Sequence, residues 1–125
     1  MNIATAHLFA IATPILASIS QVIVKWQINQ APEMPEDLLQ KLWFLLEFLI
    51  RPWVVFSMFA TFLGGVTWII AMTKLDVSYA YPYVAASFII VPAAAVFIFG
   101  EQVTLGKLVG SVLIITGIAI VMLKG

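Results

Sequence analysis

Polar residues are scarce in this chain, and their positions divide it. Four long apolar stretches, approximately residues 6–26, 53–73, 77–99 and 105–123, are separated by shorter polar segments. Each is about 20 residues long, the length an α-helix needs to cross a hydrocarbon layer roughly 30 Å thick. The pattern predicts four transmembrane helices. Residues 27–35, rich in Gln, Asn, Pro and Glu, read as a loop. The later connections, Lys74-Leu75-Asp76 and Gly100 to Thr104, are very short and force their flanking helices to run antiparallel.

Residues 36–51 fit neither class. Their pattern is helical, with Asp37, Gln40, Lys41, Glu47 and Arg51 on one face and leucines, Trp43 and Ile50 over the rest. The segment is too short and too charged to span a bilayer, and an amphipathic helix lying in the membrane interface is expected. Two alternatives stay open: an extension of the second helix bent at Pro52, or a helix that only packs on the bundle.

Composition changes the solvent, not the elements. Of the 125 residues, 63% are hydrophobic and 10% charged, against about 45–50% apolar and 25% charged in a soluble domain. A chain this short leaves much of its surface exposed, so the excess apolar surface has to face lipid. The expected fold class is an all-α membrane protein, a four-helix bundle in which residues 1–125 form a single transmembrane domain. The formal net charge of zero argues against nucleic acid as a partner. There is no cysteine, hence no disulfide framework or thiolate metal site. The N-terminus lacks the basic region and cleavage site of a signal peptide, so the first apolar segment is expected to be a retained helix. Lys25, Lys41, Arg51 and Lys107 fall at one end of such a bundle, Lys74 and Lys124 at the other. That bias is small and weakly favours the first end as cytoplasmic.

No catalytic constellation is present. His7 has no acid or nucleophile near it in sequence, and neither a phosphate-binding glycine loop nor a metal-ligand spacing occurs. Neither an enzyme nor a cofactor is expected. What remains is polar residues inside apolar helices, which mark pathways or helix interfaces. In the first helix Pro14, Ser18, Gln21 and Lys25 follow helical spacing and share a face. This stripe reads as one wall of a polar groove ending in a cation. It also reads as interhelical hydrogen bonding with Lys25 snorkelling to the headgroups. The third helix carries Tyr81, Tyr83, Pro82 and Pro92. Two prolines free carbonyls and permit hinging, as in the broken helices of transporters, whereas tyrosines are also ordinary interfacial belt residues. Pro14, Pro82 and Pro92 are the candidate hinges. Trp68 in the second helix either lines a cavity or packs. Gly106, Gly110 and Gly117 in the last helix give a small-residue face for close helix contact. Four helices with short loops largely fill their own centre, so a solute route implies a dimer, with those glycines as its expected interface.

The block Leu75-Asp76-Val77-Ser78-Tyr79-Ala80-Tyr81-Pro82, the Phe99-Gly100-Glu101 loop and the spaced glycines after it resemble the drug/metabolite transporter superfamily, in its four-helix, small multidrug resistance-like branch. Drug-exporting members carry a glutamate mid-way along the first helix. Here that region reads Leu16-Ala17-Ser18-Ile19-Ser20, with no acid. Without a buried carboxylate a desolvated cation lacks its counter-charge. The Ser18-x-x-Gln21-x-x-x-Lys25 stripe and Ala80-Tyr81-Pro82 are more similar to the aminoarabinose-phosphoundecaprenol flippase-like subunits. That resemblance implies a multi-pass protein of the bacterial inner membrane that moves a polyprenyl-phosphate-linked sugar between leaflets, as a homodimer or beside a sister subunit. On it, Ser18, Gln21, Lys25, Trp68, Tyr81 and Tyr83 are the expected substrate-binding residues, and alternating access the expected mechanism. Two other expectations compete: an exporter of small solutes or drugs, and a non-transporting membrane subunit that partners an envelope glycosyltransferase.

Overall fold

A computed structural model describes residues 2–124. Six helices follow in order: α1 (Ile3–Gln30), α2 (Leu38–Leu49), α3 (Pro52–Met72), α4 (Val77–Ala85), α5 (Ser87–Phe99) and α6 (Leu105–Lys124). Four segments are long and apolar enough to cross a membrane: α1, α3, the α4–α5 pair taken together, and α6. These are the four spans expected from the apolar pattern, and the protein is a four-helix, multi-pass membrane protein.

Asn2 caps α1, its side-chain oxygen accepting from the Thr5 amide at 2.8 Å. The far end of α1 runs further than residue 26. Gln27 to Gln30 are helical and not loop, and Gln27 is buried. Their polarity marks the depth at which the chain leaves the apolar layer, not the end of its hydrogen-bond ladder. Arg51 donates to the Gln27 side-chain oxygen at 3.4 Å, and Trp26 meets Trp53 edge to face with centroids 5.4 Å apart. These contacts tie the polar end of α1 to the start of α3, where Pro52 occupies the first turn, whose N–H groups have no acceptor within the helix anyway.

The best-packed seam joins α1 to α3. Thr13 meets Thr67, Ser20 meets Thr61 and Gln27 meets Arg51. Because one number rises as the other falls, the two helices run antiparallel. Ala6, Thr13, Ser20 and Gln27, each seven residues from the next, are all buried, which places them on one narrow stripe of the helix. Facing them, α3 buries Val54, Ser57, Ala60, Gly64 and Ala71 at helical spacing. At Gly64 the backbones approach so closely that a Cβ there would sit 3.5 Å from both Leu16 Cβ and the Thr13 carbonyl oxygen. Small residues let two helices close to this distance, and the hydroxyls then bond across it.

The third span is divided. Between Pro82 and Pro92 the ladder tightens at Ala86, whose amide bonds the Tyr83 carbonyl at 3.2 Å, and Ser87 turns its hydroxyl back to the Val84 carbonyl at 2.8 Å. Neither proline can donate to the preceding turn, which leaves the Ser78 and Phe88 carbonyls without their helical partners. α5 stops at Gly100, which takes the left-handed conformation (φ 67°) that lets its amide bond back to the Ala95 carbonyl.

In cross-section α1 is central, touching α3 on one side and α4 and α5 on the other, while among the described residues α6 packs on α4 and α5 alone. Neither α5 nor α6 contains a buried residue, and α4 contains only Ala80. Phe97 and Leu123 are 87% and 82% exposed, respectively. This outer half presents its side chains to lipid or to another chain.

α2 is shorter than the expected 36–51. The side turned toward the bundle carries Lys41, Phe44 and Phe48, with Phe48 buried and Arg51 lying 5.9 Å over its ring. Leu39, Trp43 and Ile50 are turned outward. α2 thus meets the start of α3 mainly through Phe44 and Phe48, while its acidic and amide side chains, Asp37, Gln40 and Glu47, and its other large apolar side chains stay exposed.

Candidate functional site

Of the residues singled out by sequence, Ser18, Lys25, Pro92, Trp68, Tyr81 and Tyr83 fall into three places, and Gln21 lines none of them. The first is the α1–α5 seam. Ile15, Ser18, Ile19 and Val22 of α1 face Ile90, Ala94 and Ile98 of α5 across a groove of about 320 Å³. Every wall side chain but one is apolar. The exception is Ser18, 3% exposed, whose hydroxyl has no hydrogen-bond partner among the described residues. A buried donor left unpaired costs about 1–3 kcal/mol. The cost is met when something polar enters the groove.

Next to it, sharing Val22 as a wall, lies a second cavity of about 360 Å³ between α1, α5 and the start of α6. Lys25, Glu101 and Lys107 rim it, above Pro92 and Phe99. Lys107 also donates from Nζ to the Gln102 carbonyl at 2.8 Å, which holds its chain against the loop. α1 and the α4–α5 span run parallel, so Lys25 near the end of one arrives beside Phe99 at the end of the other. Two of the three lysines expected at one membrane end, Lys25 and Lys107, are thereby brought to one cavity.

The second place is a cavity of about 260 Å³ between α1, α3 and α4, lined by Thr13, Ala17, Thr61, Gly64, Gly65, Trp68, Tyr81 and Val84. Trp68 and Tyr81 meet edge to face, centroids 6.1 Å apart. Here Gly64 serves the close approach of α1, while a Cβ on Gly65 would meet nothing within 4 Å. The third place lies toward the opposite end. Tyr83 bonds His7 Nδ1 at 2.7 Å, and His7 also sits edge-on to Tyr79. Tyr83 is therefore not beside Tyr81, despite their closeness in sequence. Two positions apart on a helix, they point to different sides.

The four-residue stripe of α1 is not uniform. Pro14 and Ser18 are buried, whereas Gln21 and Lys25 are exposed. Gly106 and Gly117 lie on the open side of α6 and Gly110 is half-buried, with no heavy atom within 4 Å of a Cβ on either Gly110 or Gly117. No helix of the same chain fills that face. Sequence reasoning missed three features: the His7–Tyr83 bond, the Thr13–Ser20–Gln27 row, and the convergence of Glu101 and Lys107 on Lys25. Only the heptad spacing of the second was visible beforehand. The others join residues 76 or more positions apart. Among the described residues, no group of three His, Asp or Glu side chains is placed to hold a metal ion.

A profile of the EamA-like transporter family matches residues 2–123. The chain is 32% identical over 117 residues to a probable 4-amino-4-deoxy-L-arabinose-phosphoundecaprenol flippase subunit ArnF of Erwinia tasmaniensis, covering 91% of each chain. It is 28% identical to the protein of the same description from Proteus mirabilis, covering 96% of this chain and 93% of that one. To a probable subunit ArnE of the same flippase from Pseudomonas aeruginosa it is 36% identical over 69 residues, 55% of this chain and 60% of the relative. No solved structure matches.

Proposed function

The chain belongs to the EamA-like transporter family, and from that premise we propose that this small membrane transporter is a flippase subunit. Its substrate is a polyprenyl-phosphate-linked sugar of the aminoarabinose type, moved between the leaflets of the inner membrane. It works as a dimer, with a sister subunit or a second copy, and carries out no covalent chemistry.

The observation that carries this reading is the α1–α5 groove, with apolar walls and one buried unpartnered hydroxyl, beside a cavity that shares Val22 with it and has Lys25 at its rim. Such a slot suits an amphiphile, whose prenyl chain needs an apolar lateral route and whose head needs hydrogen bonds and a counter-charge. Ser18 and Gln21 serve the sugar on its way past α1. Trp68 and Tyr81 form the inner wall toward α3, and Tyr83 closes the opposite end through His7. All six acidic residues lie outside the spans, which weighs against proton-driven export of a cationic drug.

The division of the third span at Ala86 supports tilting of α4 and α5 about Pro82 and Pro92 as the gating movement. The test is translocation in liposomes. A membrane-impermeant amine reagent reports how much lipid-linked aminosugar has changed leaflet. Gln21→Ala or Lys25→Ala should slow that transfer about tenfold or more while the purified protein keeps its helical signal and its oligomeric size. Unchanged transfer in both variants overturns the site assignment.

A further inference from the structure

The rim of the α1–α5–α6 cavity carries charges of both signs, and their arrangement says more about the head group than a lone cation does. Lys25 comes from the end of α1, Glu101 from the loop after α5, and Lys107 from the first turn of α6. The floor beneath them, Pro92 and Phe99 among it, is apolar. A charge at the edge of a low-dielectric layer acts more strongly than one in open water. The cavity volume, about 360 Å³, lies within the range of sites that enclose small ligands, about 300–1,000 Å³.

We propose that this cavity is a subsite for a zwitterionic head group, in which Lys25 and Lys107 hold the phosphodiester and Glu101 holds the sugar's ammonium. The inference rests on the flippase reading above and sharpens it, because it separates an amino sugar from a neutral one. The phosphodiester's single negative charge meets two ammonium groups and the sugar's ammonium meets one carboxylate, so both charges of the ligand find a counter-charge and the rim keeps one cation in excess. A neutral sugar phosphate satisfies the lysines but leaves Glu101 facing a head without a cation. The lipid tail continues past Val22 into the neighbouring apolar groove, so the site takes a lipid-borne phosphate in preference to the free ion.

Three probes separate these roles, each titrated against the full-length protein in nanodiscs: a short-chain polyprenyl phosphate bearing a 4-amino pentose, the same lipid with its amine formylated, and the bare polyprenyl phosphate. The wild-type protein should bind the amino form about tenfold more tightly than the formylated one. Glu101→Gln should abolish that preference without weakening affinity for the bare phosphate, which should gain somewhat because a carboxylate that repels it is gone. Lys107→Gln should weaken all three lipids by about tenfold, and Lys107→Arg should restore them. Inorganic phosphate at equal concentration should displace none of them. Both substituted positions are exposed, so the fold should survive the changes. A preference that persists in Glu101→Gln, or isotherms unmoved by Lys107→Gln, overturns this subsite while leaving the flippase reading standing. Displacement by inorganic phosphate as readily as by lipid overturns the lipid source. A wild-type protein that binds none of the three lipids overturns both.

Discussion

The bond between Ser20 and Thr61 offers a quantitative test of what holds α1 to α3. The two hydroxyl oxygens are 2.6 Å apart, and Ser20 is buried. Thr61 already donates its one hydrogen to the Ser57 carbonyl at 3.1 Å. A hydroxyl has a single proton, so Ser20 is the donor across the seam and Thr61 the acceptor. Ser20→Ala removes that donor but leaves Thr61 with its backbone bond. Thr61→Ala leaves Ser20 free to turn back to the carbonyl one helical turn earlier. Each single change is therefore partly compensated, and the cross-helix bond shows itself only as a coupling between them. Interhelical hydrogen bonds in membranes average about 0.6 kcal/mol and reach about 1.7. The short geometry, with Ser20 buried and Thr61 at the exposed edge of the seam, places this one at about 1 kcal/mol, within that range. Unfolding free energies of the wild type, both single variants and the double variant, measured by steric trapping in bicelles, close the cycle. A coupling indistinguishable from zero would mean that the seam is held by packing at Gly64 and Ala60 alone and that the hydroxyl pairing contributes nothing.

Two further changes probe the site itself. Ser18→Ala removes a buried hydroxyl with no partner and should raise stability by up to about 1 kcal/mol, the low end of the cost of an unsatisfied group, while slowing head-group translocation. A loss of stability on unfolding in bicelles would show that Ser18 is bonded within the resting fold. Tyr83→Phe removes the 2.7 Å bond to His7 and should loosen α4 from α1 by about 1 kcal/mol, with a matching change in the His7 ring resonances. Unaltered resonances would show that the two rings are not paired in the bilayer.

The four spans were legible because lipid imposes a length on every apolar run, and length is read directly from sequence. The division of the third span at Ala86 was foreshadowed by Pro82 and Pro92, since neither can donate in a helix. The end of α1 was misjudged because Gln27 and Gln30 look like loop residues, yet Arg51 and Trp53 of another helix give Gln27 and Trp26 partners. The candidate site was legible only in part. Helical spacing placed Ser18 and Lys25 on one face of α1, but which neighbour they meet depends on how α5 leans, and no local pattern encodes that. The order of the spans puts Lys107 at the same membrane end as Lys25, but that Glu101 and Lys107 share one cavity with Lys25 follows only from the packing of α1 against α5 and the start of α6. Tyr83 was grouped with Tyr81 by proximity in sequence, whereas helix geometry separates them.

The packing itself divides the chain into a stiff part and a loose one, and this bears on how a lipid would be moved. α1 and α3 share buried small residues, crossed hydroxyl bonds and the Gly64 approach, so they move together at a high cost in broken contacts. α4, α5 and α6 bury one residue between them, carry two prolines, and meet α1 along a seam interrupted by two cavities. Regions with few buried contacts open first. A groove whose one wall is stiff and whose other wall is hinged changes its width without unfolding either. The same loose half leaves Gly117 and the outer face of α6 uncovered, and a second chain seated there would supply the opposing wall that four helices lack. On the proposed reading, the weakness of packing around α5 and α6 is the condition for transport: a monomer buried as tightly throughout as its α1–α3 seam would have neither a lateral opening for a prenyl chain nor a surface for its partner.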